Sequence, residues 1–457
     1  MTILERSSER VGPAAGQASD EEALPRRPDA VALLSLYLFL LAAIPSSLVF
    51  APLGAAGGPA TLLSVALMIA YLLMRIHPGF DIDRGRQPVR VASMFFLCSI
   101  VVAYAAANLH YLPKVEENGA DRGIISAVGW LAVILVAADG IDRLDRLKIL
   151  LDRVSTATTG LALIGIAQFF TGVNYTKYIV IPGLTSIQAP TDLIVRGGFN
   201  RAVATTAQPL EFAAVMVVAF PLALHQARFA PNAIRSVKWL KVAVIGAAIP
   251  MTVSRTALVG LIVAGVVLLP TWTRRHRRRA YAVMLAVGAV LFVGVPQLLS
   301  TFATLMAQIF AGSSSTDSRT SAIGQSLPYL AQHPWFGRGF GTFPPQVYFF
   351  TDDQYLNSLI TVGAVGLCCL GALFATGWLV ARSLRRRSTD AEVRDLAQCL
   401  AAAVAVAAAC FGTFDVLSFA SAAGLTFLII GCTGAAWRLC QLKAAAQSSS
   451  YGLPEPS

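Results

Sequence analysis

Residues 241–274 read KVAVIGAAIPMTVSRTALVGLIVAGVVLLPTWTR. The run is too long for one membrane crossing, which takes about 20 mostly apolar residues, and short for two. Pro250 and the Ser254–Arg255 pair interrupt it, and a proline or a polar break marks a helix end more often than a kinked continuation. Charge decides between the readings. If 241–274 crossed only once, either the RRHRRR run at 274–279 or the RSLRRR run at 382–387 would face outward, against the retention of Lys and Arg on the cytoplasmic side. Two short helices, 237–253 and 256–273, are therefore expected, joined by a turn on the outer face.

Outward from this pair the same length template marks ten further spans. They are 31–51, 60–76, 91–112, 123–139, 147–170, 208–227, 279–300, 354–381, 394–413 and 416–437. The expected fold class is thus an all-α integral membrane protein with about 12 transmembrane helices and both termini cytoplasmic. Of the 36 Lys and Arg residues, this layout leaves on the outer side only Lys114, Arg122, Lys177, Arg196, Arg201, Arg255, Arg319 and Arg338. Residues 1–30 read as a disordered cytoplasmic lead rather than a cleavable signal, 31–443 as the polytopic membrane domain, and 444–457 as a disordered cytoplasmic tail. Two long outer segments remain, about 171–207 and about 301–353, the second being the large loop between helices 9 and 10. Long connections in a compact fold are more often functional or disordered than idle. Ile323, Leu327 and Leu330 recur at helical intervals before HPWFGRGFGTF, which suggests a short interfacial helix followed by a Gly-rich turn.

Composition supports this class. The 457-residue chain is 56% hydrophobic and 13% charged, with mean hydropathy +0.64, where soluble domains carry about 25% charged residues. The net charge of +11 sits in short loops between apolar runs, so it reads as topology and not as nucleic-acid binding. The seven cysteines make no CxxC pair, and they suggest neither a disulfide framework nor a zinc site. Asp81-Ile82-Asp83 falls on the cytoplasmic side and is set aside.

The polar residues left on the outer side are the candidate chemistry. Arg255 lies between two minimal helices, where an arginine is costly and marks a function by default; the alternative is an anchor that reaches the headgroups. Arg201, Arg255 and Arg319, if they met in one outer cavity, would suit a pyrophosphate, because the planar guanidinium pairs with phosphate oxygens; singly, each suits a lipid headgroup. Asp352 and Asp353 precede the tenth span and Asp415 lies between the last two. Each is either a proton acceptor for a hydroxyl or a helix N-terminal charge. Glu211 is a further candidate or a structural partner. His333-Pro334 with Arg338-Gly339-Phe340-Gly341 forms either an anion-binding turn or a plain tight one.

At these residues the chain resembles the O-antigen ligase and Wzy-type polysaccharide polymerase superfamily. Arg201-Ala-Val-Ala-Thr-Thr-Ala-Gln-Pro209-Leu-Glu211-Phe is similar to its Arg–Gly–Pro segment, with Ala204 where a glycine is usual. Ser254-Arg255-Thr-Ala-Leu-Val-Gly260 is the second stretch. The third is Arg319, then His333-Pro-Trp-Phe-Gly337-Arg-Gly339-Phe-Gly341, then Asp352-Asp-Gln-Tyr355-Leu356-Asn357, ending at Gly363-Ala-Val-Gly366-Leu. Ligases of the family place a histidine where Asp352 stands, so the pattern is closer to the exopolysaccharide polymerase branch.

The resemblance implies a GT-C-type membrane glycosyltransferase of the bacterial cytoplasmic (inner) membrane, inverting and needing no metal or cofactor, with its active site facing outward. It would polymerise or ligate glycans from an undecaprenyl-diphosphate-linked oligosaccharide donor onto a glycan or lipid-linked glycan acceptor. Its partners are then these substrates and membrane lipids, not nucleic acid. Arg201 and Arg255 would hold the diphosphate, with Arg319 and Arg338 assisting; Asp352, Asp353 and Arg255 would be catalytic, Asp352 as the preferred base. Arg196, Glu211, His333, Tyr355 and Asp415 complete the outer-face set. A transporter or flippase of lipid-linked glycans is the alternative, and would be expected to carry polar, broken helices near mid-membrane.

Overall fold

The computed structural model describes residues 29–76, 85–187, 192–294 and 314–451, with scattered positions between 297 and 307; the side chains of 55, 287–288, 290–294, 314–321 and 443–451 fall outside that description. Most of the expected lead, the Asp81–Asp83 pair and the last residues of the tail therefore lie outside the described residues.

Thirteen described helices build the molecule. They are α1 (Ala30–Ala43), α2 (Pro59–Ile76), α3 (Pro88–Ala107), α4 (Lys114–Gly140), α5 (Leu144–Thr171), α6 (Pro209–Phe229) and α7 (Asn232–Met251), followed by α8 (Arg255–Leu268), α9 (Arg274–Gly294), α10 (Ser314–Gln332), α11 (Gln354–Arg387), α12 (Ala391–Phe411) and α13 (Ala420–Tyr451). Eight of them (α2 to α6, α11, α12, and α13 over Ala420–Leu442) are long and apolar enough to cross a membrane. Each stretch marked from sequence as a span holds one of the helices, and α10 lies in the 301–353 segment where Ile323, Leu327 and Leu330 suggested a short helix. Local chemistry explains their starts: Asp29, Asp353 and Asp390 cap α1, α11 and α12 through side-chain oxygens, and Pro88 and Pro209 stand in the first turns of α3 and α6, where a missing N–H costs nothing. α13 stays helical to Tyr451, into the 444–457 stretch expected from sequence to be a disordered tail.

Burial sorts the helices into an inner and an outer set. In α13 89% of the apolar window is buried and in α6 83%, against 28% in α2 and 39% in α3. A helix apolar on every side belongs inside a large assembly of helices. The peripheral ones turn Phe39, Leu73, Phe95 and Leu163 outward, which suits lipid. The 241–274 stretch breaks as expected: α7 packs on α5 and α6, while α8 packs on α6 and α12. Between them Thr252–Ser254 make the turn, with Val253 at φ +44.

α11 is itself interrupted, at Gly363 (φ 68, ψ −171). The break frees the carbonyls of Ile360 and Thr361, which accept from the amides of Arg338 (3.0 Å) and Gly339 (2.8 Å). In return Ala364 and Val365 donate to the Pro334 and Trp335 carbonyls at 2.9 and 3.1 Å. The Gly-rich turn after His333 is thus built into a helix, backbone against backbone. The Arg338 and Gly339 amides of the turn are engaged with α11. Two small antiparallel ladders dress the same end of the molecule: β1 (Leu48–Val49) with β2 (Thr185–Ser186), and β3 (Val195–Arg196) with β4 (Phe199–Asn200).

The opposite ends of the helices carry buried ion pairs. Asp395, on α12, accepts from Arg228 and lies 2.9 Å from His225 Nδ1. Cys399 completes a cluster whose ligand atoms lie within 4.8 Å of one another. Arg90 holds Asp139 at 2.9 Å, with the Tyr71 hydroxyl donating to the same carboxylate at 2.8 Å. Truncating one partner strands the others without water. Asp395→Ala should cost about 3–5 kcal/mol of stability, read as a lowered thermal midpoint in detergent, and a midpoint equal to wild type would mean that the pair adds nothing.

Candidate functional site

The three stretches singled out in the sequence meet at one end of the bundle. Arg201 follows the β3–β4 hairpin, whose backbone continues through Arg201 N donating to the Ile194 carbonyl at 2.9 Å. From there the Ala202 amide reaches the Met251 carbonyl (3.3 Å) and Arg201 Nε the Thr252 carbonyl (3.0 Å). The first stretch is therefore docked on the α7–α8 turn. The second stretch is tied to the α12–α13 turn, because Thr256 Oγ1 donates to Thr413 Oγ1 at 2.9 Å. Two residues on, Asp415 accepts from Thr351 Oγ1 at 2.7 Å, which brings in the third stretch.

Backbone strain marks the same places. Among the described residues, Ala204 (φ 50), Val253 (φ 44) and Asp352 (φ 49) are the non-glycine residues with positive φ. One lies in the first stretch, one immediately before the second and one in the third. For residues with a Cβ this region costs about 1–2 kcal/mol, and such strain concentrates where a site over-determines its backbone. At Ala204 the cause is visible: the fully buried Gln168 side chain accepts from the amides of Val203 (3.0 Å) and Ala204 (2.7 Å) and donates to the Ala204 carbonyl (3.3 Å). The conformation is one that glycine adopts freely, so the departure at Ala204 changes the residue and keeps the shape.

Positive charge gathers at this end, where Arg196 and Arg201 lie close. Arg201 is 8% exposed; burial, and then the neighbouring Arg196, push its pKa down to about 10, which still leaves it charged at neutral pH. Its Nη2 is buried without a hydrogen-bond partner, and so is Ser254 Oγ; the two flank Thr252. Buried polar atoms are nearly always satisfied. Ser254 holds the N-cap position of α8 yet makes no side-chain cap, although serine there usually accepts from the helix amides. The N-terminus of α8, half-buried Arg255 in its first turn, Arg201 docked on Thr252 and the Ser254 hydroxyl therefore all belong to the α7–α8 turn.

The acids are differentiated. Asp353 caps α11 by accepting from Tyr355 N (2.8 Å) and Leu356 N (3.4 Å). Asp352 is exposed. Asp415 is largely enclosed, and burial, followed by the charges of Asp352 and Asp353, raises its carboxyl to about 6 against the Thr351 hydrogen bond. A group with a raised folded-state pKa binds its proton more tightly folded than unfolded. Stability should then fall as pH rises from about 4 to about 6 and stay level above. Asp415→Asn should flatten that slope in unfolding midpoints measured across this range; an unchanged slope would locate the titration elsewhere.

Other expected residues have different work. Arg338 is taken up by Glu116, 2% exposed, at 3.1 and 3.0 Å, and stacks over the Tyr348 ring at 4.7 Å. The Tyr348 hydroxyl donates to the same carboxylate. Arg338 thus ties the loop to α4, away from any free-anion role. Glu211 is fully buried, accepting from the backbone amides of Ala207 (2.7 Å), Ser421 (2.7 Å) and Ala422 (3.4 Å), so it fastens α6 to the start of α13. The Tyr355 hydroxyl donates to the Ala408 carbonyl at 2.7 Å. His333 faces His110, ring centroids 6.4 Å apart. Arg196 lies on β3 beside Arg201, while the Arg319 side chain, on α10, lies outside the described ones. Gln168, Thr252, Ser254, Thr351 and Glu116 are the participants that sequence reasoning left out. Only Ser254 and Thr351 had a signal, as neighbours of Arg255 and Asp352.

No curated protein matches the chain. Residues 240–371 match the family model described as O-Antigen ligase. That interval runs from α7 into α11, holding the second and third stretches and leaving Arg201 outside. Over this interval the chain is similar to the O-antigen ligase and Wzy superfamily.

Proposed function

We propose that the protein is an inverting, metal-independent glycosyltransferase that polymerises or ligates glycans from an undecaprenyl-diphosphate-linked donor on the outer face of a bacterial cytoplasmic membrane. The observation that carries the reading is the pair of buried, unpartnered atoms, Arg201 Nη2 and Ser254 Oγ, at the uncapped start of α8 beside Arg255. An acceptor hydroxyl attacks the anomeric carbon of the donor sugar, the bond from that carbon to the diphosphate oxygen breaks, and the diphosphate leaves with the electron pair. Arg201, Arg255 and Ser254 meet the charge that develops on it, as fixed donors do for departing anions; Arg319 joins them from the loop. The proton of the hydroxyl passes to Asp352, with Asp415 nearby. Twelve crossings with both termini inside are part of the proposal. The Arg-rich end of α11 (Arg385–Arg387) then faces the cytoplasm and the site faces out. Polymerisation of an exopolysaccharide fits Asp352 at the position where ligases carry histidine.

The test is transfer by the purified protein in detergent from an undecaprenyl-diphosphate-linked oligosaccharide in the presence of EDTA. Longer lipid-linked products are expected. Ser254→Ala should lower their rate roughly 10–100-fold, the worth of a hydrogen bond to a charged group, with the thermal midpoint unchanged because Ser254 Oγ makes no bond within the protein. Failure of the wild type on several donors, with donor movement across proteoliposome membranes, would favour the flippase.

A further inference from the structure

A cavity of ≈ 290 Å³ opens between α2, α4, the 340–345 turn, the first turns of α11 and the α12–α13 connection. It contains none of the residues assigned above to the diphosphate or the base. Its walls combine the rings of Trp130 and Phe343, the side-chain amides of Gln354 and Asn357, and small hydroxyls such as Ser126. The volume is at the small end of ligand sites, about 300–1,000 Å³, a fit for one sugar ring with its substituents. Aromatic faces attract the polarised C–H edges of such a ring, while amides and hydroxyls, each both donor and acceptor, match its hydroxyls. Lipid tails would have no use for these groups.

Two observations tie the cavity to the chemistry and to a particular ligand. Asn357 Nδ2 donates to Thr351 Oγ1 at 3.4 Å, and Thr351 Oγ1 donates to Asp415 at 2.7 Å, so two hydrogen bonds through Thr351 link the cavity wall at Asn357 to Asp415. The cavity is also electrically one-sided. Among the described residues, Arg122 is its sole charged lining residue and no carboxylate lines it. The Arg122 guanidinium lies over Gly54 (φ +54), where a Cβ would come within 2.7 Å of Nη2; the absence of a side chain there makes the room. Arg122 forms no ion pair with a described residue. A guanidinium presented to a sugar-sized cavity selects a planar carboxylate, which it binds through two parallel N–H donors.

We infer that this cavity is the acceptor subsite and that it takes an acidic saccharide, a hexuronate whose carboxylate sits on Arg122 and whose reacting hydroxyl points to Asn357. The inference rests on the transferase reading above for the word acceptor, and on the cavity alone for the ligand. The test therefore uses binding without donor. Glucuronate-terminated and glucose-terminated oligosaccharides of equal length are titrated into the full-length protein by calorimetry, with inorganic pyrophosphate as competitor. Wild type should bind the acidic one at least about tenfold more tightly, Arg122→Gln should erase the preference while keeping the neutral affinity, and Asn357→Ala should weaken both. Equal affinities in wild type, a preference that survives Arg122→Gln, no binding of either, or displacement of the uronate by pyrophosphate would each overturn it, the last by giving Arg122 to the donor phosphates. Preferential uronate binding by a protein that transfers no glycan would sink the transferase reading and leave the cavity standing; transfer without the preference would do the reverse.

Discussion

Arg201→Met should reduce glycan transfer by about 10²–10³-fold, the usual loss when one fixed donor to a developing anion is removed, while leaving the thermal midpoint equal to wild type or above it. Both halves follow from the position of the guanidinium. Nε is bonded to the Thr252 carbonyl at 3.0 Å, Nη2 is buried with no partner, and Arg196 repels it from one side. In the ligand-free protein the charge is a burden, as its lowered pKa records. An apolar side chain of similar length removes that burden and loses one carbonyl bond worth about 1 kcal/mol. Sites built for a ligand commonly trade stability for activity in this way. Arg201→Lys keeps the charge but cannot hold Thr252 and face a ligand at once, so it should lose nearly as much activity. A clear fall in midpoint for Arg201→Met with transfer intact would make Arg201 a structural residue and remove the diphosphate site.

Gly363→Ala should be among the most damaging single-methyl additions in the described residues. Gly363 has φ +68, and a Cβ there would lie 2.3 Å from the Trp335 carbonyl oxygen and 2.4 Å from its carbon. The αL strain alone is about 1–2 kcal/mol. The overlap is with backbone, which cannot swing aside, so the turn after His333 must leave α11 and the four hydrogen bonds that knit 334–339 to 360–365 are lost together. A loss of several kcal/mol, of order 4 from overlap and bonds combined, should appear as absent or aggregated protein in size-exclusion profiles. Gly371, on the same helix, has nothing within 4 Å of its Cβ position. Gly371→Ala should therefore be neutral or stabilising by up to about 1 kcal/mol. Similar behaviour of the two variants would show that the interlock does not hold the loop.

Much of the fold was readable in advance because its signals are local. Apolar length, prolines at helix starts, capping aspartates and the break at Pro250–Arg255 act over a few residues, and the helices fall where they point. The resemblance rested on short stretches too, and the family match at 240–371 agrees with the second and third of them. Arg201, Arg255 and the acids near the start of α11 were legible as candidates because charge is rare and costly in such a chain.

What the sequence by itself determined, then, is the class of molecule, the places of its helices and the short inventory of residues able to do polar chemistry. Only the tertiary structure decided which of them meet and which remain available. Gln168 holds Ala204 across 36 residues, Thr256 reaches Thr413 across 157, and Glu116 claims Arg338 across 222. Sequence spacing carries no trace of such pairings. The cost of an unpaired buried charge is set by its surroundings: a carboxylate from a distant helix turns Arg338 into a tie, and the lack of one leaves Arg201 Nη2 buried without a partner.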